Sequence, residues 1–286
     1  MPELISRIAV KDPVCPALGR LMTASQGDRL LPILILLGGC LNGLAARMVE
    51  TIAVEGFASP LPGVSPFEAL AMVAAARLLL IGQAAQDTVA ARLWIVHAPA
   101  LAAILYPSST LSWAATAAYA LCMAWVLAGP ARRGALLFAA LAASAIWSIV
   151  MARWLALPIT TQEAVVTAAL HNLLGNEVSQ IGNIVGSAGG HALIVLAQCS
   201  SLEGLPRALV GLAAVFTLAG GTSTARLGAG AVIGSAVYVL GSTTRLVLMA
   251  WSADVHAIVH GPVGSNVYDL IQTAAVIGIG VMAARR

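Results

Sequence analysis

Charge is what this sequence has least of. Asp, Glu, Lys and Arg make up 9% of its 286 residues, against about 25% in an ordinary soluble domain. A soluble fold must cover its apolar interior, and a chain that is 59% apolar has too little polar surface to do so. Net charge is only +3 and the basic residues are scattered, so no nucleic-acid partner is expected. Lysine is nearly missing: Lys11 is the single one among fifteen basic residues, the rest being arginine. Metal motifs such as CxxC or HExxH are absent, and neither a metal nor any other cofactor is expected. Disorder is excluded by the apolar content and a mean hydropathy of +0.91. A polytopic membrane protein remains.

A helix needs about 17–25 largely apolar residues to cross the hydrocarbon core. Eight stretches qualify, at 30–48, 68–83, 91–106, 111–129, 135–156, 204–220, 228–249 and 267–284, the second and third being short. No window alternates as a membrane β-strand does, and 1–29 has no signal-peptide core. The expected fold is an all-α membrane protein of about eight transmembrane helices, with a cytoplasmic segment 1–29 and one integral domain 30–286. Loop charges orient it. With the N-terminus inside, ten of the fifteen basic residues are cytoplasmic: Arg7, Lys11, Arg20, Arg29, Arg92, Arg132, Arg133, Arg226, Arg285 and Arg286. Arg47, Arg153, Arg207 and Arg245 fall outside with most carboxylates, and Arg77 lies within a span. An even span count places both termini inside, in the cytoplasmic (inner) membrane of a bacterium, with membrane lipid as a partner.

One loop is long, the outer segment 157–203, and long loops are usually functional. Residues 161–174 have helical apolar spacing with Glu163 and His171 off the apolar face, an expected amphipathic interfacial helix. Two β-prone runs, 181–185 and 191–197, flank the Gly-rich 186–190 and predict a hairpin leading into Cys199. Cys15 is expected on the cytoplasmic side and Cys40 and Cys122 as small buried residues of spans. Cys199 is the single outer cysteine, so it has no disulfide partner there. Its place at a helix start favours a thiolate nucleophile. A cysteine nucleophile needs a base and an oxyanion stabiliser. Arg245, near the outer end of the seventh span, is a candidate stabiliser, with a snorkelling anchor as the plain alternative. His256 and His260, in the following loop, are candidate bases.

The stretch 172–269 resembles the exosortase/archaeosortase family. The resemblance rests on Gly182-Asn183-Ile184-Val185, the apolar strand 192–197, Cys199-Ser200, Ser242-Thr243-Thr244-Arg245 and His260-Gly261-Pro262-Val263-Gly264. Ser201 and Ser242 stand where members commonly carry Gly and Asn. The resemblance implies a membrane-embedded cysteine protease or transpeptidase with Cys199 as nucleophile, Arg245 as the invariant arginine and His260 as general acid/base, His256 being second choice. Its substrates would be secreted proteins with a C-terminal tail of recognition motif, transmembrane helix and basic cluster, cut at the outer face through a thioester. An exopolysaccharide or lipid could be the acceptor. The expected oxyanion donors are Arg245 and the main-chain N–H groups of Ser200 and Ser201. The Gly230-x-x-x-Gly234 surface is either a dock for the substrate helix or a contact between the protein's own helices.

Two rivals are weaker. A rhomboid-like serine protease would use Ser187 with His191, but these lie in the expected hairpin rather than in spans. A small-molecule transporter would use ionisable groups near mid-membrane; Arg77 and His97 qualify, with a structural role the better expectation.

Overall fold

The computed structural model describes residues 15–55, 65–83, 94–106, 108–187 and 189–285, with side chains described from residue 30 onward. Among them are ten α-helices and one small sheet: α1 Cys15–Glu55, α2 Pro66–Gln83, α3 Trp94–Leu105, α4 Ser109–Val126, α5 Gly129–Val150, α6 Ala156–Leu173, β1 Val178–Ile181, β2 Ile184–Ser187, β3 Ala192–Ile194, α7 Ser201–Leu218, α8 Thr224–Trp251, α9 Ala253–His260 and α10 Pro262–Arg285. Five helices contain segments long and apolar enough to cross a membrane: Leu30–Val49 of α1, then α5, α7, α8 and α10. The expected eight are not all in that set. α2 and α4, 18 residues each, and α3, 12 residues, pack within the same bundle. α1 is continuous across residue 29, so the backbone shows no break where the integral domain was expected to begin.

Apolar patterning builds one large core from α1 to α5 with α7, around Leu36, Leu79, Trp113, Phe138 and Leu141. A second, smaller cluster joins α2, α7 and α10 through Phe67, Leu212 and Val276. Leu34, Leu41, Val73, Val232, Leu240 and Leu270 are instead exposed, an apolar flank that suits a membrane protein. Trp154 and Trp251 are exposed near helix ends, where amphipathic rings favour the membrane interface.

Two buried polar contacts join helices of the bundle. Arg47 meets the fully buried Glu68 at 2.6 Å, joining α1 to α2. The buried His97 Nδ1 lies 2.7 Å from the Tyr119 hydroxyl, a contact between α3 and α4. Arg77 is exposed on α2. Cys40 is buried, whereas Cys122 is exposed on α4, contrary to the expectation of burial. Gly230 and Gly234 face Leu212 and Ala283, so the small-residue surface of α8 is occupied by α7 and α10 of the same chain.

The segment 157–203 differs from its expected form in two ways. First, α6 begins at Ala156 and continues α5 through a π-helical turn, Met151–Leu155, instead of starting at 161. Pro158 removes the N–H that would bond the Trp154 carbonyl, and the wide turn lies where that bond is missing. Second, the sheet has three strands in the order β1-β2-β3, all antiparallel. The expected first strand, 181–185, is broken by a two-residue turn at Gly182-Asn183, with Gly182 at φ 60°. That backbone suits glycine. Asn183 then brackets Val195: its side chain donates to the Val195 carbonyl (2.9 Å), and its own carbonyl accepts the Val195 N–H (2.8 Å). Asn172 Oδ1 likewise accepts the Val178 N–H at 3.1 Å and starts β1. Val185, Leu193 and Val195 pack on Ala164 and Ala168 of α6 and on Leu246 and Met249 of α8.

The α2–α5 contact is close enough to test. A Cβ on Gly134 would lie 2.7 Å from the Ala75 carbonyl oxygen, a backbone atom of α2 that cannot yield cheaply. Gly134→Val is expected to cost about 1–3 kcal/mol by overpacking, read as a lower thermal unfolding midpoint in detergent. Gly278→Val, into open space on α10, is expected to leave the midpoint unchanged.

Candidate functional site

Strand β3 delivers the chain through Leu196 into a single 3-10 turn, Ala197–Cys199, and Ser200 then caps α7. Cys199 is half-buried beside the cluster that joins α6, the sheet and α8. Two groups on α6 and one just before β3 hold the neighbouring helix ends. Glu163 Oε1 accepts from both the Ser201 N–H (2.8 Å) and the Ser201 hydroxyl (2.6 Å), at the start of α7. His171 Nε2 donates to the Val247 carbonyl at 2.7 Å, and His191 Nε2 to the Met249 carbonyl at 3.0 Å, near the end of α8. A carbonyl only accepts, so both imidazoles carry their hydrogen on Nε2.

Sequence spacing leaves Glu163 and His171 on a polar face of α6; in the structure they turn inward, and His171 is 1% exposed. The two are eight residues apart, about 12 Å along a helix axis. One helix thereby spans from the second residue after the candidate nucleophile to the C-terminal part of the helix that carries Arg245.

Cys199 and Arg245 line one cavity of about 360 Å³, between the starts of α2, α7 and α10 and the second half of α8. Glu203, Arg207, Tyr238, Tyr268, Asp269 and Gln272 complete its polar wall. Arg245 lies six residues before the end of α8, about 9 Å along the helix, so the cavity is sunk below the helix ends. Arg207 is ion-paired with Glu203, one turn away on α7. Arg245 Nη2 donates to Ser265 Oγ at 2.9 Å, and its guanidinium lies over the Tyr268 ring, 5.3 Å from the centroid. Gly204 lets the Tyr238 hydroxyl approach α7, since a Cβ there would sit 2.0 Å from that oxygen.

The expected histidines are elsewhere. No histidine lines the cavity. His260 ends α9 and is exposed; its link to Arg245 runs through its carbonyl, which accepts from the Ser265 hydroxyl at 3.1 Å. The His256 and His260 rings stack with centroids 5.2 Å apart, and His191 stands 5.5 Å from His256. Partial burial, then the neighbouring His260 and His191, hold His256 below the ordinary histidine pKa. Val259, beside His260, packs on the same apolar cluster as Cys199. Among the described residues no group of three or more His, Cys, Asp or Glu is placed to hold a metal ion. Ser187 donates to the main-chain carbonyl of His191 at 3.2 Å rather than to its ring, so these two are not arranged as a serine–histidine dyad.

Two expectations about Cys199 are corrected. Its thiol pKa is raised, not lowered: burial dominates, outweighing a main-chain hydrogen bond at Leu196 and the charge of Arg245, and Glu163 pushes the same way as burial. The main-chain donors are also spent. Ser200 N–H goes to the Ala197 carbonyl (3.1 Å) and Ser201 N–H to Glu163 (2.8 Å), so neither serves an oxyanion. Tyr268, Asp269, Gln272 and Glu163 were not among the expected site residues. The available signal was the density of polar groups at Tyr268, Asp269 and Gln272 at the start of an apolar span.

The chain matches no protein-family model, no curated protein and no solved structure.

A raised thiol pKa means less thiolate at neutral pH, with the thiolate appearing as pH climbs past the ordinary cysteine range of about 8.5. With Cys15, Cys40 and Cys122 replaced by alanine, the rate of Cys199 alkylation by iodoacetamide is expected to rise through a midpoint above that of free cysteine. Arg245→Gln, which removes a charge that favours the thiolate, is expected to move the midpoint higher. A midpoint at or below free cysteine contradicts the burial-dominated environment.

Proposed function

We propose that this protein is a membrane-embedded cysteine peptidase or transpeptidase of the exosortase-like kind, acting on the C-terminal sorting tails of secreted proteins. The observation that carries the reading is the convergence of Cys199 and Arg245, 46 positions apart in sequence, on one polar cavity sunk among apolar helices. An arginine within an apolar span is costly and calls for a function or partner. The membrane arrangement proposed with it has eight spans, α1 to α5, α7, α8 and α10. Both termini are cytoplasmic, and the cavity opens at the outer face of a bacterial inner membrane.

The chemistry is acyl transfer. The thiol is protonated at rest, so a base must take its proton as it attacks. His260 takes this part; it is exposed and outside the cavity lining in the free protein, and it takes the proton through water. The thiolate attacks the scissile carbonyl of an extended tail, and Arg245 faces the developing negative charge with a permanently charged, multiply donating guanidinium. His260 returns the proton to the leaving amine. The thioester passes to water or to an acceptor, an exopolysaccharide or lipid. The substrate's own helix packs against lipid-exposed flanks of the bundle, since Gly230 and Gly234 are already covered.

Cys199→Ala is expected to abolish processing of a tailed substrate while leaving the protein inserted; wild-type processing would overturn the reading. Arg245→Lys is expected to lose most activity, because an ammonium lacks the planar fork. His260→Ala is expected to cost on the order of 10²-fold or more in kcat and His256→Ala little. The opposite order reassigns the base to His256.

A further inference from the structure

Charge is divided between the two ends of the bundle. The carboxylates whose side chains are described, Glu68, Glu163, Glu177, Glu203, Asp254 and Asp269, belong to elements at the Cys199 end. The other end is about 27 Å away, the length of the 18-residue α7. There Arg132 and Arg133 lie at the start of α5, Arg226 at the start of α8 and Arg285 at the end of α10, all exposed. Among the described residues none of these four makes an ion pair. Fixed positive charge therefore gathers at one end with no described anion of the protein to match it.

One of these arginines lines a groove. The groove, of about 290 Å³, lies between the first part of α5, the end of α7 and the start of α8. Its lining has an order along the helices. Arg133, on the second turn of α5, and the hydroxyl-bearing Thr222, Ser223 and Thr224 lie at the helix ends. Ser223 Oγ accepts the Arg226 N–H at 3.4 Å, which leaves its O–H to donate. Toward the middle of the bundle the lining is apolar, with Leu136, Leu137 and Ala140 at helical intervals on α5 and Ala213 and Phe216 on α7. A second groove of about 240 Å³, between α8 and α10, repeats the order: Arg226 is nearest the helix end, and Gly230, Ile233 and Ile279 follow inward.

We infer that the groove between α5, α7 and α8 is a binding site for an anionic phospholipid, with the phosphate against Arg133 and the hydroxyls of 222–224 and an acyl chain along the apolar part. Charge and shape select this occupant. A groove that is polar at the helix ends and apolar toward the middle matches an amphiphile rather than a small ion. An arginine without a carboxylate matches a head group of net negative charge rather than a zwitterion, and its guanidinium suits phosphate oxygens. Basic pockets between membrane helices on the cytoplasmic side bind anionic head groups, and the proposed topology makes this the cytoplasmic end. The site is remote from Cys199 and does not depend on the chemistry there.

The test uses the full chain in dodecylmaltoside micelles doped with dioleoyl phosphatidylglycerol or dioleoyl phosphatidylcholine, with bound lipid read by native mass spectrometry. The protein is expected to hold phosphatidylglycerol more tightly than phosphatidylcholine. Arg133→Gln is expected to weaken phosphatidylglycerol about fivefold, the effect of one arginine beside an anionic head group, and to leave phosphatidylcholine unchanged. Arg132→Gln removes the same charge from a side chain outside the groove lining. Its effect is expected to stay below about twofold, because salt screens charges that are not in contact. Ala140→Phe, which fills the apolar part from an exposed position, is expected to weaken phosphatidylglycerol with Arg133 intact. All three positions are exposed, so unfolding midpoints in lipid-free micelles are expected to match the parent's. Equal retention of the two lipids by the parent overturns the inference. Equal losses in Arg132→Gln and Arg133→Gln overturn it too, since they would mean a general surface charge, as does unchanged retention in Ala140→Phe. Inorganic phosphate at matched ionic strength is expected to displace no phosphatidylglycerol; displacement would mean a site for a free anion and would end the lipid assignment.

Discussion

Helix ends buried inside a protein leave main-chain groups that must find partners, and in this molecule α6 supplies them for two helices at once. Glu163 receives the first N–H of α7 and the hydroxyl beside it, and His171 donates near the end of α8. Cys199 immediately precedes the first end and Arg245 lies just inside the second. The separation of the two candidate site residues is therefore set by a rigid helix rather than by the loops between them. His191 adds a second clamp on α8 from the start of β3, so the sheet is tied to the same helix end. The continuous run from α5 through the π turn explains how α6 can serve as this brace: it is anchored in the bundle and redirected, not tethered by a free loop.

The scarcity of charge shapes what the cavity can be. In an apolar bundle each ion needs a partner or a purpose, and the described charges inside the fold largely have one. Arg47 is matched by Glu68 and Arg207 by Glu203. Arg245 is different: it has a hydroxyl, an aromatic face and an unfilled Nε. Burial raises the Cys199 thiol pKa and outweighs the opposing charge of Arg245.

The membrane character and most helix positions were legible in the sequence, because long apolar runs and their interruptions depend on local composition alone. The sheet was half legible: its strands were visible as β-prone runs, but Gly182-Asn183 read as part of a strand until pairing with β3 showed a turn. Cys199 and Arg245 stood out because so few polar residues compete with them. Glu163 and His171 did not, since a polar face on an amphipathic helix looks the same whether it meets water or capped helix ends. Tyr268 was marked only by its place beside Asp269 and Gln272, a cluster of polar residues at the start of a span.

The sequence by itself determined that the chain is built of apolar helices, that charge is confined to a few nameable positions, and that one cysteine lies where a strand hands over to a helix. These are properties of neighbouring residues. Tertiary structure decided which of those positions meet: that Arg245 and Tyr268, on different helices, share a wall with Cys199, that no histidine lines that cavity, and that the first main-chain donor of α7 is already taken by α6. Those outcomes depend on which helix ends pack together, and contacts between residues far apart in the chain leave no trace in local composition.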